Sequence, residues 1–152
     1  MKLKVIMGLS LLLGPFLLNA SELKNFRTDY CTGFSEGTFK KPNLWKECCF
    51  EHDLRYWFGG TKVQQNFSDI QLKSCVSVKA GSFYSNLMYY AVRAGHYSPI
   101  KHKTHWGWGW KSVNEYYFGL NPDHKKMIRT EIKNLNLSDE YVQSFIQKYQ
   151  LK

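Results

Sequence analysis

Across the second half of the chain the apolar positions recur at helical spacing. Val63, Phe67 and Ile70 are four and three residues apart, Phe83, Leu87, Tyr90 and Ala94 follow the same rhythm, and Tyr141, Val142, Phe145, Ile146 and Tyr149 form a wider stripe. Side chains three and four apart share one face of an α-helix. The punctuation between the stripes agrees. Gly59-Gly60 stops a first helix expected over residues 44–58, and Thr61-Lys62-Val63-Gln64 is a capping box that starts a second, reaching about residue 78. Ala80-Gly81 breaks the chain before a third helix over 82–94. Asn121-Pro122-Asp123 offers a cap, a proline at the first helical position and an acid in the first turn, and so begins a fourth running to about 135; Ser138 caps a fifth. A two-residue glycine turn makes the first two helices antiparallel neighbours. The expected class is mainly α, built on two antiparallel core helices.

The remaining stretches lack such periodicity. Residues 22–27 are a polar lead, read as a short helix or an unfixed arm. Residues 29–38 hold two glycines and many side-chain oxygens, and form a loop. After His96 come several lysines and histidines around Pro99, then Trp106-Gly107-Trp108-Gly109-Trp110, with no regular element evident. Residues 113–118 read as a short strand or an extended aromatic arm. Residues 1–20 have the pattern of a secretory signal: Lys2 and Lys4, an apolar run from Val5 to Leu18, and Asn19-Ala20 before Ser21. The apolar run is short for a membrane span and carries Gly14-Pro15. This gives a signal at 1–20 and one domain at 21–152, with a core at 29–95, an aromatic and basic segment at 96–118 and C-terminal helices at 121–150.

Length and charge narrow the picture further. A chain of 152 residues suits one domain, and 16% aromatic content suffices for a core. The formal charge of +9 falls to +7 without Lys2 and Lys4, which favours an anionic partner. Export and the lack of a basic recognition helix count against nucleic acid. Export to an oxidising compartment, secreted or periplasmic, makes the four cysteines two disulfides. Neighbouring Cys48 and Cys49 point in different directions on a helix, which leaves two pairings of these with Cys31 and Cys75.

The candidate chemistry lies in Cys48-Cys49-Phe50-Glu51-His52-Asp53, one helical turn separating the cysteine pair from the His-Asp pair. A neutral imidazole acts as a general base, and a carboxylate beside it holds a hard cation. Asp69 follows on the second helix at a comparable distance from the Gly59-Gly60 turn, where its side chain can meet His52. The run resembles the active-site helix of secreted phospholipases A2, whose pattern is Cys-Cys-x-x-His-Asp. The likeness extends to Asp29-Tyr30-Cys31-Thr32, similar to the Asp-x-Cys-Ser of small bacterial and fungal members, and covers about residues 29–75. Tyr56-Trp57 followed by Gly59-Gly60, with the tryptophan-glycine tail, looks most like a bacterial phospholipase A2-like group.

That resemblance implies a small disulfide-stapled helical fold with Cys31–Cys49 and Cys48–Cys75 pairs. It also implies a catalytic dyad of His52 and Asp69, and Ca²⁺ held by Asp53 with Asp29, Tyr30 and Thr32. The activity it implies is cleavage of the sn-2 ester of glycerophospholipids at a membrane surface, His52 taking a proton from water. The chain departs from the animal pattern in two places: Leu54-Arg55 stands where that family has a further cysteine after His-Asp, and Phe34, Ser35 and Glu36 replace a glycine-rich stretch. The competing expectation is a catalytically silent module of the same fold that binds lipid or another anionic partner. The Trp106–Trp110 segment is read either as a lipid-headgroup contact or, with more weight, as a cluster packed over the helices. His96, His102 and His105 do not have the spacing of a strong zinc site.

Overall fold

Gly59 and Gly60 turn the chain with φ of 64° and 136°, conformations that residues bearing a Cβ avoid. On either side stand α1 (Lys46–Phe58) and α2 (Lys62–Ala80), the expected antiparallel pair. The computed structural model describes residues 22–97, 103–111 and 115–152. The expected signal at 1–20 lies outside these, as do His102 and the start of the 113–118 arm. The capping box is formed: the Gln64 N–H donates to Thr61 Oγ1 at 3.3 Å, and the Thr61 N–H donates to Gln64 Oε1 at 2.9 Å. Gly81, with φ of 82°, divides α2 from α3 (Ser82–His96). Asn121 and Ser138 cap α4 (Pro122–Asn134) and α5 (Asp139–Lys148). Among the described residues the regular elements are these five helices, with two isolated β-bridges, and none is long and apolar enough to cross a membrane.

Two disulfides fix the start of α1. Cys31–Cys49 ties down the preceding loop and Cys48–Cys75 ties α1 to α2. This is the pairing the resemblance implied. One apolar cluster forms around them from Trp45, Leu72, Val76 and Met88. A second gathers Leu54, Trp57, Phe58, Ile128 and Ile132 with Val142, Phe145 and Ile146 of α5 and Tyr149 at its end, so this stripe faces inward.

The far end of α1 is completed by the tryptophan-glycine segment. A helix leaves its last carbonyls without intrahelical partners, and here the Gly107 and Gly109 N–H groups donate to the Tyr56 and Trp57 carbonyls at 2.7 and 2.8 Å. The indole N–H groups of Trp106 and Trp110 donate to Gly60 and Phe58 carbonyls at 2.8 Å each. Glycine is needed because the backbones nearly touch: a Cβ on Gly109 would lie 2.5 Å from the Trp57 ring. Trp106 and Trp110 are buried, so the packed-cluster reading describes them and the headgroup reading does not. The polar lead is neither helical nor unfixed. It lies along this segment, with a Leu23–Trp110 bridge and a Lys24 N–H donating to the Gly109 carbonyl at 2.7 Å.

The stripes that announced α2 and α3 are turned the other way from the α5 stripe. Val63, Phe67 and Ile70, and Phe83, Leu87 and Tyr90, are all exposed. The buried positions of α2 are instead Gln65, Ser68, Asp69, Leu72 and Val76. The helix gives its inner face to polar groups because the site lies there.

Candidate functional site

Asp69 is fully buried, and polar groups from α1 and α3 surround it. The His52 ring lies with Nε2 3.0 Å from Asp69 Oδ1. The Tyr56 hydroxyl, one turn further along α1, donates to the same oxygen at 2.8 Å. On the other side, Arg93 Nη1 and His96 Nε2 each stand 3.5 Å from Asp69 Oδ2. Arg93 also donates to Asn66 Oδ1, and the His96 Nε2 meets the Tyr56 oxygen. Proton bookkeeping then fixes both rings. Tyr56 spends its one proton on Asp69, so its oxygen accepts from His96 Nε2–H. The His52 Nε2–H donates to Asp69, which leaves Nδ1 with its lone pair. This is the arrangement a general base requires.

Burial pushes the Tyr56 hydroxyl well above the usual phenol range, and the adjacent Asp69 charge adds to the shift. The hydroxyl therefore stays protonated and acts as a fixed donor. Burial lowers the His96 pKa, with Arg93 and His52 adding to the shift and Asp69 opposing it. Asp53, beside His52 but facing the loop, has its pKa raised to about 6, mainly by desolvation and in part by the Asp29 charge. The Thr28 hydroxyl donates to Asp53 Oδ2 at 2.6 Å and accepts from the Tyr30 N–H at 2.9 Å. Tyr30 itself sits in the left-handed region, φ 58°, a conformation uncommon for a residue with a large side chain.

These groups line a cavity of about 630 Å³, within the range of small-molecule sites. His52, Asp53, Tyr56 and His96 stand on its wall with the loop residues Tyr30, Thr32 and Gly33, and Leu72, Met88 and Val92 give it an apolar side. Of the sequence candidates, His52 and Asp69 are brought together, and Asp53, Tyr30 and Thr32 share the wall. Asp29 is not part of the wall: it is exposed and accepts a hydrogen bond from Thr32 Oγ1 at 2.6 Å. Sequence reasoning missed Arg93 and His96 as partners of Asp69, and Thr28 as a partner of Asp53. A signal existed for Arg93. Asp69 stands twelve residues before Gly81 and Arg93 twelve after it, the same kind of symmetry about a turn that pairs His52 with Asp69.

The donor chemistry suits a hard cation. Ca²⁺ takes six to eight oxygens, most of them carbonyl or carboxylate. Asp53 is a desolvated carboxylate with a second negative charge nearby, a situation a cation relieves; in the adjacent loop the Tyr30 and Cys31 carbonyls accept from the Thr32 and Phe34 N–H groups at 3.1 and 2.8 Å. Among the described residues no cluster of three or more His, Cys, Asp or Glu side chains forms a metal site, so a cation here would lean on the backbone. No family model, curated protein or solved structure matches the chain.

Proposed function

We propose that this chain is an exported phospholipase A2-like hydrolase that cleaves the sn-2 ester of glycerophospholipids, with Ca²⁺ as cofactor. The observation that carries the reading is the contact of His52 Nε2 with buried Asp69 at 3.0 Å, on the wall of a cavity that also exposes Asp53 and an apolar side. A packed histidine of purely structural use has no need of such a cavity.

In this reading His52 Nδ1 takes a proton from a water, which attacks the ester carbonyl, and returns it to the departing glycerol oxygen. Asp69 holds the productive tautomer and stabilises the imidazolium. Tyr56, Arg93 and His96 hold Asp69 in place. Leu72, Met88 and Val92 give the acyl chain an apolar wall. Asp53 and the carbonyls of residues 30–32 would hold Ca²⁺, which when bound supplies positive charge for the lipid phosphate and the developing oxyanion. The signal-like leader and the two disulfides support a secreted or periplasmic location.

The test is ester release from mixed phospholipid vesicles, with Ca²⁺ or with chelator, by the wild type and His52→Ala. Release that needs both the cation and His52 is the expected result. Absence of release, together with a melting temperature that Ca²⁺ leaves unchanged, would sink the reading and leave the lipid-binding module.

A further inference from the structure

Gln65 is an interior polar side chain to which the mechanism above gives no part. It is 1% exposed, and its Nε2 meets no hydrogen-bond partner among the described residues. A buried amide N–H without an acceptor is costly and calls for an explanation. The other end of the amide is engaged, since the Tyr117 hydroxyl donates to Gln65 Oε1 at 2.9 Å.

The helix pair shows what the Nε2 end faces. α1 and α2 run antiparallel from one short turn, and His52 is set against Asp69 at 3.0 Å. The same register sets Tyr56 against Gln65, each one helical turn nearer to Gly59-Gly60. Tyr56 spends its proton on Asp69 at 2.8 Å, so its oxygen can only accept. It accepts from His96 and has room for a second donor. An amide facing that oxygen must present its N–H, which leaves its carbonyl for the Tyr117 hydroxyl. The reversed amide would set two acceptors against each other. Gln65 also opposes the upward shift of the Tyr56 pKa, as a donor close to a phenol oxygen does.

We propose that Gln65 and Tyr117 are positioning residues for the His52–Asp69 dyad. Tyr117 orients the amide, a small rotation brings Nε2–H onto the Tyr56 oxygen, and Tyr56 becomes a stronger and better fixed donor to Asp69. The Phe118 N–H donates to the Gly60 carbonyl at 3.2 Å, which holds Tyr117 beside the start of α2. Tyr117 also lines the cavity, so the row of bonds runs from a wall that substrate touches to the buried carboxylate. This deepens the hydrolase reading and rests on it for the reaction, but the bonds are measurable in the resting chain.

The experiment compares the exported chain with Gln65→Met, which keeps the bulk and loses the donor, and with Tyr117→Phe, which loses one hydroxyl at the cavity rim. Proton NMR should show a low-field signal of the Tyr56 hydroxyl, identified by its loss in Tyr56→Phe. In both variants it should move upfield. With phospholipid, kcat should fall about tenfold in each while KM changes little. A side chain that merely packs would shift the melting temperature and leave the hydroxyl signal and kcat alone. An unmoved signal or a wild-type kcat in either folded variant would overturn the proposal. So would a wild type without the low-field signal.

The two readings fail separately. A wild type that cleaves its ester while both variants match it keeps the hydrolase and removes Gln65 and Tyr117 from the site. A wild type that cleaves no ester defeats the hydrolase, and the hydroxyl signal then decides whether Gln65 and Tyr117 hold Tyr56 on Asp69.

Discussion

The carboxylate of Asp69 and the imidazole of His52 meet at 3.0 Å across two helices and 17 residues of sequence. Asp69 has no access to solvent, so its charge is balanced by its neighbours rather than by water. Replacing it with asparagine keeps the shape but loses the charge that holds the His52 proton on Nε2. Asp69→Asn should lower kcat on phospholipid by roughly 10²- to 10⁴-fold, with KM little changed. Steady-state kinetics beside a thermal melt would separate this from unfolding, and an unchanged kcat would remove Asp69 from the mechanism.

His96 should make the fold sensitive to mild acid. Its folded pKa is lowered by burial and by Arg93 and His52, against the pull of Asp69, whereas in the unfolded chain it titrates near the ordinary value of about 6.5. Below that pH the unfolded state takes up a proton that the folded state refuses, so the equilibrium shifts toward unfolding. The stability is complete above about pH 7 and declines as pH falls through 6.5 toward the folded value. Melting temperatures at pH 7, 6 and 5 should fall more steeply for the wild type than for His96→Gln.

Calcium should stabilise the chain through Asp53. With a pKa of about 6, this carboxyl is mostly ionised at pH 7.5 and mostly neutral at pH 5. The rise in melting temperature on adding Ca²⁺ should be larger at the higher pH, and Asp53→Asn should abolish it at both. Thermal shift with and without chelator is sufficient to decide this. An equal rise in the variant would place any cation elsewhere.

Two glycine substitutions should part company. A Cβ at Gly109 meets the Trp57 ring and its carbonyl at 2.5–2.7 Å, whereas one at Gly95 meets nothing within 4 Å. Gly109→Ala should destabilise by about 2 kcal/mol or more, because the segment must lift off the end of α1. Gly95→Ala, in a helix, should be neutral or stabilising by up to about 1 kcal/mol. Chemical denaturation of both variants checks the contrast.

Local signals carried much of the architecture. Gly59-Gly60, the Thr61–Gln64 box, Asn121-Pro122 and Ser138 are decided by neighbours within a few residues, and each marks a helix boundary that forms. The start of α1 lies two residues later than expected, where Trp45 is held by the preceding loop through its N–H to the Glu36 carbonyl at 3.0 Å, and α2 and α3 each run two residues further than expected, to Ala80 and His96. The meeting of His52 and Asp69 was legible because one short turn sets the register of two helices. The inward direction of α2 was not. Periodicity shows that a helix has an apolar stripe but not which way the stripe faces, and here the inner face sets polar Gln65, Ser68 and Asp69 beside Leu72 and Val76. Arg93 and His96 escaped because their place depends on a third helix whose register follows from Gly81.

The bonds that finish α1 impose a sequence of events in time. The Trp106 and Trp110 indoles reach back 46 and 52 residues, and closing loops of that length is slow compared with winding a helix. As a nascent chain emerges from its N-terminus, α1 can wind early, yet its last carbonyls wait for residues made much later. The histidine-bearing helix is thus assembled from one end by its own sequence and from the other by delayed long-range docking. A chain halted before residue 106 would carry every residue of the His52–Asp69 cluster and still lack the lock that closes α1 behind it.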